Sequence, residues 1–361
     1  MEKLVMNLPF DPSVFAGKRV LVTGDTGFKG SWLSLWLNRI GADVWGLALP
    51  NEDERCHFSL LGLDKIITHR DGDVRDRSVV QSIFDDAKPE IVFHLAAQSL
   101  VKKSYADPKL TFDTNVGGSI NILDVARDCS SLKALTFITS DKCYLNKEWL
   151  WGYRENDELG GLDPYSASKA AAEIVFRAYA ASFIDARNDL GAATTRAGNV
   201  IGGGDWAADR IVPDCIRALE AKQAIRIRMP HATRPWQYVL EPLSGYLCLA
   251  AKLLEDPKQY GGAWNFGPGD DSVRTVHELT KQLINGWGSG EIILDTPKDQ
   301  PYEATLLHLN IDKARMKLGW SPKWHVNRSI EECAIWYKEV LGGANARDVS
   351  LRQIDAYMSD E

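Results

Sequence analysis

A tyrosine and a lysine four residues apart, Tyr165 and Lys169, have the spacing that suits proton transfer. Asp163 and Pro164 precede Tyr165 and favour a helix start, because Asp caps a first turn and Pro fits it. On a helix the two side chains share a face. A phenol becomes a base near neutral pH if its pKa of about 10 falls by about 3 units, roughly 4 kcal/mol. A cation about 4 Å away supplies that amount at a dielectric of about 20, so Lys169 is predicted to activate Tyr165.

A second polar group, Ser140-Asp141-Lys142, directly follows the apolar run 134–139. The run is typical of a buried strand, and ligands of open α/β sheets bind at the carboxyl ends of the strands. We therefore expect this triplet to lie in one site with Tyr165. Lys142 has two open roles: it is a base only when neutral, against an ordinary lysine pKa of about 10.4, and when charged it stabilises an anion.

A glycine-rich turn lies near the N-terminus, where Gly24, Gly27 and Gly30 separate the apolar run 20–22 from an amphipathic helical pattern. Such a turn requires positive φ, and it lets a pyrophosphate approach the backbone at the helix N-terminus. The pattern therefore predicts dinucleotide binding. The predicted cofactor contacts of the turn are Gly24, Thr26, Gly27, Phe28, Lys29 and Gly30.

NAD-binding proteins usually have an acid about 20 residues past the glycine turn, which holds the ribose 2′-hydroxyl. This chain lacks that acid. The predicted second strand ends in Leu47-Ala48-Leu49, no acid follows before Glu52, and Arg55 is a nearby cation for a 2′-phosphate. The second strand therefore leaves NAD and NADP both open.

Short apolar runs alternate with helical patterns up to about residue 199, which predicts an α/β fold with a doubly wound parallel sheet. A smaller mixed α/β lobe is predicted to cap the cleft. The first domain is expected at 1–200 plus about 233–267, where 233–240 returns to the sheet, and the lobe at about 201–232 plus 268–361. Predicted strands are 19–22, 43–47, 66–70, 91–95, 134–139, 192–196 and 264–267; predicted helices are 29–40, 77–87, 117–129, 164–183 and 211–221.

The composition narrows the class of protein. The chain has 361 residues and a net charge of −7, which argues against a nucleic-acid partner. Its apolar stretches stay below the roughly 18 residues of a membrane span, and residues 1–10 lack the pattern of a signal peptide. Six cysteines and seven histidines are scattered, without metal-site spacing. We expect a cytoplasmic, metal-free protein that binds neither membrane nor nucleic acid.

Taken together and in order, these motifs resemble the extended short-chain dehydrogenase/reductase superfamily over about residues 15–340. The segments 191–200, 202–206 and 209–213 are similar to its nucleotide-sugar 4,6-dehydratase branch. Within that branch, Ser140-Asp141-Lys142 resembles the members that act on CDP-glucose. The resemblance implies a CDP-sugar substrate, NAD as cofactor and a place in deoxysugar biosynthesis, such as that of lipopolysaccharide O-antigen.

The resemblance also implies a reaction without net redox. Tyr165, with Lys169 and Ser140, removes the C4 hydroxyl proton while hydride passes from C4 to NAD⁺. A base removes the C5 hydrogen, Asp141 protonates the departing C6 hydroxyl, and the hydride returns to C6. Relatives that use dTDP- or GDP-sugars carry Glu as the C5 base where this chain has Lys142, and Lys142 as the base is the interpretation we favour.

Two interpretations come from position in the sequence: His94, at the end of the predicted fourth strand, is interpreted as a core histidine, and Trp32 and Trp36, four residues apart on the first helix, as packing residues. The remaining expectations follow from the resemblance alone. A homodimer or a dimer of dimers is implied through helices near 117–129 and 164–183. The implied cofactor contacts are Asp73, Val74, Leu95, Ala96, Ala97, Gln98, Thr139, Tyr165 and Lys169, and the implied substrate contacts are Asn199, Arg210, Arg234 and Asn265.

Three alternatives stay open. A nucleotide-sugar 4-epimerase shares Tyr165 and Lys169 but needs no acid–base pair for C5 and C6, so Asp141-Lys142 favours dehydration. A 4,6-dehydratase for another nucleotide sugar would share all of these motifs. A regulatory dinucleotide-sensing protein would usually lack the tyrosine or the lysine, and both are present.

Overall fold

The structure is a computed structural model that describes residues 7–51, 53–269, 272–295 and 306–359; Glu52 lies outside them. Its central feature is a parallel sheet of seven strands in the order β11-β6-β5-β4-β1-β2-β3. The strands of the described residues are β1 Arg19–Thr23, β2 Asp43–Ala48, β3 Thr68–Asp71, β4 Ile91–His94, β5 Ala134–Ile138, β6 Gly191–Ala197, β7 Val200–Ile201, β8 Ile225–Ile227, β9 Thr233–Pro235, β10 Gln237–Tyr238, β11 Gly262–Phe266, β12 Val273–Thr275 and β13 Ile292–Leu294.

Helices cover both faces of this sheet, as expected when parallel strands are joined by helical crossovers. The helices of the described residues are α1 Phe28–Arg39, α2 His57–Leu61, α3 Arg77–Ala87, α4 Val101–Ala106, α5 Pro108–Phe112, α6 Ser119–Asp128, α7 Pro164–Tyr179, α8 Ile211–Glu220, α9 Leu240–Glu255, α10 Val276–Trp287, α11 Asp312–Leu318, α12 Val326–Leu341 and α13 Ala346–Ser359.

The predicted doubly wound sheet is confirmed, and every predicted strand that joins it ends within two residues of its prediction. The strand order reverses between β1 and β4, the kind of switch point that opens a crevice at the carboxyl edge. Neighbouring residues of β1 face opposite cores: Val20 and Val22 pack on one side and Leu21 on the other. The site therefore rests on a sheet buried on both faces.

One predicted element was wrong. The segment 233–240 does not return to the large sheet: β9 pairs with β12, and β10 pairs with β7. The reason is that β6 already lies between β5 and β11, so both of its edges are occupied. The predicted helix at 117–129 also begins earlier, because α5 continues through a π-helical segment, Asp113–Gly118, into α6.

The C-terminal helices α12 and α13 have 16 and 14 residues, and α13 packs against α1. Trp36 Nε1 donates to Met358 Sδ at 3.3 Å, and Trp32 and Trp36 are fully buried, which confirms them as packing residues. One continuous hydrophobic core includes residues from both predicted domains. The division into two domains stays a prediction.

Candidate active site

The glycine turn joins β1 to α1 with little room to spare. Gly24 has φ 76°, and a Cβ there would lie 2.8 Å from the Ala96 backbone nitrogen. A Cβ on Gly30 would lie 2.0 Å from the Gly24 carbonyl oxygen. Gly27 is the N-cap of α1, so the free N–H groups of the first helical turn are available to an anion. The turn fits the pyrophosphate of a dinucleotide.

Of the residues after β4 that were predicted to contact the cofactor, some are open to the crevice and one is already hydrogen-bonded within the protein. Leu95 and Ala97 flank Ala96 and are partly exposed. The Gln98 amide, in contrast, donates to Leu100 O and Thr111 Oγ1.

At the far end of the crevice, Asp73 bonds Arg75 at 2.5 Å, and that hydrogen bond lowers the pKa of the Asp73 carboxyl. Val74 is buried against Gly118. Asp73 is therefore engaged by Arg75 before any ligand is present.

The carboxyl end of β5 carries the polar triplet. Ser140 caps the short turn Asp141–Cys143, with its Oγ accepting from the Lys142 backbone nitrogen at 3.3 Å. Ser140 Oγ also donates to Asp141 Oδ1 at 2.9 Å. Lys142 Nζ lies 3.8 Å from the same oxygen, with 36% of its side chain exposed. A hydroxyl, a carboxylate and an ammonium thus meet at one point of the sheet edge.

Helix α7 begins as the sequence predicts. Asp163 Oδ1 accepts from Ser166 N at 3.0 Å, and Pro164 occupies the first turn. Tyr165 and Lys169 are both buried. Lys169 Nζ donates to Ile138 O at 3.5 Å, and burial lowers the pKa of Lys169 to about 8.

The charge that acts on Tyr165 has a different main source from the predicted one. Burial raises the pKa of the Tyr165 phenol. The opposing influences are the charge of Lys142, a hydrogen bond from Ser140 and the charge of Arg210, while Asp141 adds to the rise. Lys142 is thus the cation that lowers this pKa most, where the helical spacing predicted Lys169.

A second lysine–tyrosine pair borders the site. Lys29, predicted as a cofactor contact, donates to Tyr246 Oη of α9 at 3.3 Å. Burial, then the charges of Lys169 and Arg210, lower the pKa of Lys29 to about 8, and Asp141 opposes that change. No motif in the sequence indicated Tyr246, because α9 has the pattern of an ordinary buried helix.

The predicted substrate contacts divide into two groups. Arg210 bonds Asp205 at 2.8 Å and acts on Tyr165, and Asn199 lies partly exposed just beyond β6. These two border the cleft. Arg234 lies in β9, directly opposite Arg274 of β12, on a different sheet.

Asn265 has to be corrected as a substrate contact. It is fully buried, its Oδ1 accepts from Tyr144 Oη at 2.8 Å, and its Nδ2 donates to Tyr153 O and Asn310 O. The segment that follows Ser140-Asp141-Lys142 covers this part of β11. Its side chain therefore serves packing inside the protein.

Behind the site lies a buried ion pair that the sequence analysis missed. Glu173 accepts from Arg196 through both carboxylate oxygens, at 2.9 and 2.7 Å, and both side chains are 3% exposed. Thr139, predicted as a cofactor contact, donates its hydroxyl to Glu173 at 2.5 Å. A weak signal was available, because Glu173 continues the spacing of four residues that Tyr165 and Lys169 begin.

His94 is a core histidine, as predicted. Its ring nitrogens bond Thr23 Oγ1 at 2.7 Å and Ser119 Oγ at 3.2 Å, and burial lowers its pKa to about 3. Within the described residues no group of three or more His, Cys, Asp or Glu side chains is placed to hold a metal ion. None of the helices in those residues is long and apolar enough to span a membrane.

Comparison with known proteins identifies the family. The family model of GDP-mannose 4,6-dehydratase matches residues 21–333. The chain belongs to this family. CDP-glucose 4,6-dehydratase of Salmonella typhimurium is 44% identical over 353 residues, which are 97% of this chain and 98% of the relative. A UDP-glucose 4-epimerase from rice is 26% identical and covers 92% of each chain.

Solved structures share the fold of this family. A UDP-glucose 4-epimerase from Stenotrophomonas maltophila, with bound NAD, superposes with a TM-score of 0.77 at 21% identity, covering 91% of this chain and 100% of its own. A dTDP-glucose 4,6-dehydratase from Bacillus anthracis in complex with NAD gives 0.74 at 18% identity, with coverages of 90% and 97%. Fold likeness therefore includes epimerases as well as dehydratases, and the site residues have to separate the two.

Proposed function

We propose that the protein is an NAD-dependent CDP-glucose 4,6-dehydratase, which converts CDP-D-glucose into CDP-4-keto-6-deoxy-D-glucose. The observation that carries the proposal is the cluster at one sheet edge, where Asp141 accepts from Ser140 and lies beside Lys142. The charges of Lys142 and Asp141 both act on the nearby Tyr165 phenol. An epimerase needs the tyrosine and the hydroxyl but has no use for an acid and a base at C5 and C6. The 44% identical relative from Salmonella supports the choice of CDP-glucose.

NAD fits the residues that line the crevice. Close contacts at Gly24 and Gly30 leave no room for side chains, and the first turn of α1 offers N–H groups to the pyrophosphate. Gly24, Thr26, Gly27 and Phe28 would hold that group, with Ala96 and Ala97 beneath it. A bound NAD would supply reversible hydride transfer for the C4 and C6 positions of the sugar.

Each catalytic side chain has one role in the proposal. Tyr165 takes the proton of the C4 hydroxyl, and Ser140 orients that hydroxyl for the proton transfer. Asp141, almost fully buried, protonates the leaving C6 hydroxyl. Lys142, the most exposed of the four, removes the C5 proton; as the alternative, it stays charged and stabilises the enolate.

Arg210 and Asn199 are proposed to bind the sugar nucleotide. Arg210 is held by Asp205, and its charge acts on Tyr165. Its guanidinium is therefore fixed near the cluster, where it could bind a pyrophosphate. Arg234 is proposed as a contact further from the reacting carbon atoms.

Incubation of the purified protein with NAD and CDP-glucose tests the proposal directly. We expect a 4-keto product, detected by its absorbance in alkali, and much slower turnover of dTDP-glucose, UDP-glucose and GDP-mannose. Formation of CDP-galactose instead would establish an epimerase. Faster turnover of another nucleotide sugar would keep the dehydratase but overturn CDP-glucose as its substrate.

We also propose that the protein is a cytoplasmic homodimer, or a dimer of dimers, that supplies deoxysugar biosynthesis, for example of O-antigen. The assembly is supported by exposed apolar side chains on helices that pack together, namely Tyr105, Phe112, Ile174 and Phe183. Light scattering should give at least twice the chain mass. Ile174→Asp should lower that mass, whereas Met316→Asp, on the exposed face of α11, should not. A monomeric wild type would refute the assembly.

A further inference from the structure

Strand β2 ends at Ala48, about 20 residues past the glycine turn, where dinucleotide-binding proteins usually carry the acid for the ribose 2′-hydroxyl. A methyl group neither accepts a hydrogen bond from that hydroxyl nor repels the 2′-phosphate of NADP. The choice of NAD over NADP therefore has to come from another group. This inference rests on the dinucleotide part of the proposed function and is independent of the sugar nucleotide.

The residue beside Ala48 on the next strand is Asp71. Strands β2 and β3 pair in parallel with Ala48 opposite Asp71, and neighbouring strands lie about 4.8 Å apart. Asp71 is the last residue of β3, and its side chain is 62% exposed. An acid thus lies one strand away from the usual position, at the carboxyl edge of the sheet where the crevice opens.

Two hydrogen bonds connect Asp71 to the glycine turn. His69 lies two residues earlier on β3, so its side chain is on the same face of the sheet. Its Nε2 lies 3.2 Å from Asp71 Oδ1, and its Nδ1 lies 2.7 Å from Oδ2 of Asp25, the residue after Gly24. The Phe58 ring packs against the imidazole with centroids 4.9 Å apart. The imidazole is therefore held from both sides, and it holds the Asp71 carboxylate in turn.

A glycine in β2 permits the contact between the turn and β3. Gly46 is the partner of His69 in the sheet, and a Cβ on Gly46 would lie 2.0 Å from Asp25 Oδ2. Asp25 is fully buried, so its carboxylate has no other path around β2. A side chain at position 46 would break the chain of hydrogen bonds.

The three linked groups carry negative charge. Burial acts to lower the pKa of His69, but the hydrogen bonds and charges of Asp25 and Asp71 outweigh it and raise that pKa. Burial also raises the pKa of Asp25. The Asp25–His69 pair therefore holds an extra proton, and on either residue it leaves the three groups with one net negative charge. The second oxygen of Asp71 is not used by the bond to His69.

The cations that could bind a 2′-phosphate are engaged elsewhere. Arg55, the candidate from the sequence, bonds Glu220 of α8 at 2.9 Å and stacks on the Trp206 ring at 4.0 Å. The other two arginines between β2 and α3 also pair with acids, Arg70 with Asp86 and Arg75 with Asp73. A 2′-phosphate would have to displace a carboxylate from one of these arginines.

We propose that Asp71 is the residue that selects NAD over NADP. Its second carboxylate oxygen accepts a hydrogen bond from the 2′-hydroxyl of the adenosine ribose, and its charge repels the phosphate that NADP carries there. His69 and Asp25 are positioning residues that fix the carboxylate. An acid on β3 thus takes the role that usually belongs to an acid on β2.

Equilibrium dialysis of the full-length protein against radiolabelled NAD or NADP tests the assignment, because it gives a dissociation constant for each. In the wild type we expect NAD to bind at least about a hundredfold more tightly, since like charges brought together are costly. Asp71→Ala should weaken NAD binding about ten- to hundredfold and should not weaken NADP binding. Asp71→Arg should reverse the preference, because a guanidinium pairs with a 2′-phosphate.

Asp64→Asn is the matched control for the change in net charge. Asp64 is an exposed acid just ahead of β3, at the amino end of that strand and away from the crevice. Its preference for NAD should equal that of the wild type. An equal fall of the preference in Asp64→Asn and Asp71→Ala would overturn a local role for Asp71.

His69→Gln tests the chain of hydrogen bonds. If His69 acts through Asp71, this substitution lowers the preference for NAD in the wild type and changes it no further in the Asp71→Ala background. Losses that add in the double variant would overturn the positioning role of His69.

The outcomes separate this inference from the proposed function. If the wild type binds NAD but Asp71→Ala keeps both its NAD affinity and its preference, only the assignment of Asp71 is wrong. A wild type that prefers NADP overturns the repulsion, and a wild type that binds neither dinucleotide overturns the proposed cofactor as well. Turnover of CDP-glucose is not part of these measurements, so the proposed substrate is tested independently.

Discussion

At the scale of single residues, Tyr165 shows how burial and charge compete in this site. Burial raises the pKa of its phenol, while Lys142 and Arg210 act against the rise. Both cations belong to segments outside α7, the helix that carries Tyr165. The acidity of the tyrosine therefore depends on the charges that surround it. A bound positive nicotinamide would lower its pKa further.

Tyr165→Phe should abolish turnover and leave binding nearly intact, because a phenyl ring preserves packing but carries no proton. We expect a loss of at least about 10² in kcat, in the range of general acid–base catalysis, with NAD affinity within a few-fold of the wild type. Steady-state assays and cofactor titration give both values. A kcat within tenfold of the wild type would remove Tyr165 from the mechanism.

Substitutions of Lys142 separate its two roles. If neutral Lys142 removes the C5 proton, Lys142→Met should stop exchange of the C5 hydrogen with deuterium from solvent while C4 oxidation continues. If Lys142 only stabilises the enolate as a cation, Lys142→Arg should keep much of the activity, since arginine stays charged and is no base. Mass spectrometry of the product reports the exchange. An active Arg variant with normal C5 exchange contradicts Lys142 as the base.

The sequence predicted the helix of Tyr165 and Lys169 and the grouping of Ser140 with Asp141. It could not predict which cation lowers the pKa of the phenol most, because Lys142 and Arg210 belong to segments outside α7 whose positions depend on the whole fold. The prediction of Asn265 as a substrate contact was wrong for a related reason. A matching motif shows which residue is present, but not that a later segment buries it.

At the scale of elements, the Glu173–Arg196 pair ties α7, the helix of Tyr165, to the sheet. Glu173 lies on α7 two turns beyond Tyr165, and Arg196 lies on β6. Arg196 also donates to Tyr144 Oη at 2.7 Å, and Tyr144 follows Ser140-Asp141-Lys142 closely in the chain. The pair thus holds three segments in the positions that the site requires.

Arg196→Met should destabilise the fold by about 3–5 kcal/mol, because it leaves the Glu173 carboxylate buried without its partner. The control is Arg39→Met on α1. Arg39 makes the same two-pronged contact with Asp355, but its side chain is 44% exposed and that of Asp355 is 30% exposed. The loss of this pair should therefore cost less than about 1 kcal/mol. Urea unfolding measures the loss of stability in each variant. Equal losses in the two variants would contradict the role given to burial.

The elements themselves were largely predictable, since alternating strands and helices leave a clear periodic signal. The segment 233–240 shows the limit. Its pattern correctly indicated extended chain, but a strand pattern does not state which sheet it joins. That choice depended on β11, which is about 25 residues further along the chain and occupies the free edge of β6.

At the scale of the whole molecule, one buried acid joins distant parts of the chain. Glu241, at the start of α9, accepts from the backbone nitrogens of Lys323 and Trp324, the latter at 2.6 Å, and from Tyr357 Oη at 2.7 Å. It thereby links the sheet-covering helix α9 to the segment before α12 and to α13. Burial raises the pKa of Glu241 from 4.5 to about 7.

This shift predicts how stability depends on pH. Between about pH 4.5 and 7 the folded protein keeps a proton on Glu241 that the unfolded chain releases, so the free energy of unfolding falls as pH rises. A shift of about 2.5 units corresponds to about 3 kcal/mol. Urea unfolding of the wild type and of Glu241→Gln, at about pH 5 and about pH 8, isolates the contribution, because other titrating groups cancel in the difference. The stability of the wild type relative to the Gln variant should fall by about 3 kcal/mol between the two pH values. If the difference in unfolding free energy between the wild type and the Gln variant is the same at both pH values, Glu241 keeps one charge state across this range and the predicted pKa shift is wrong.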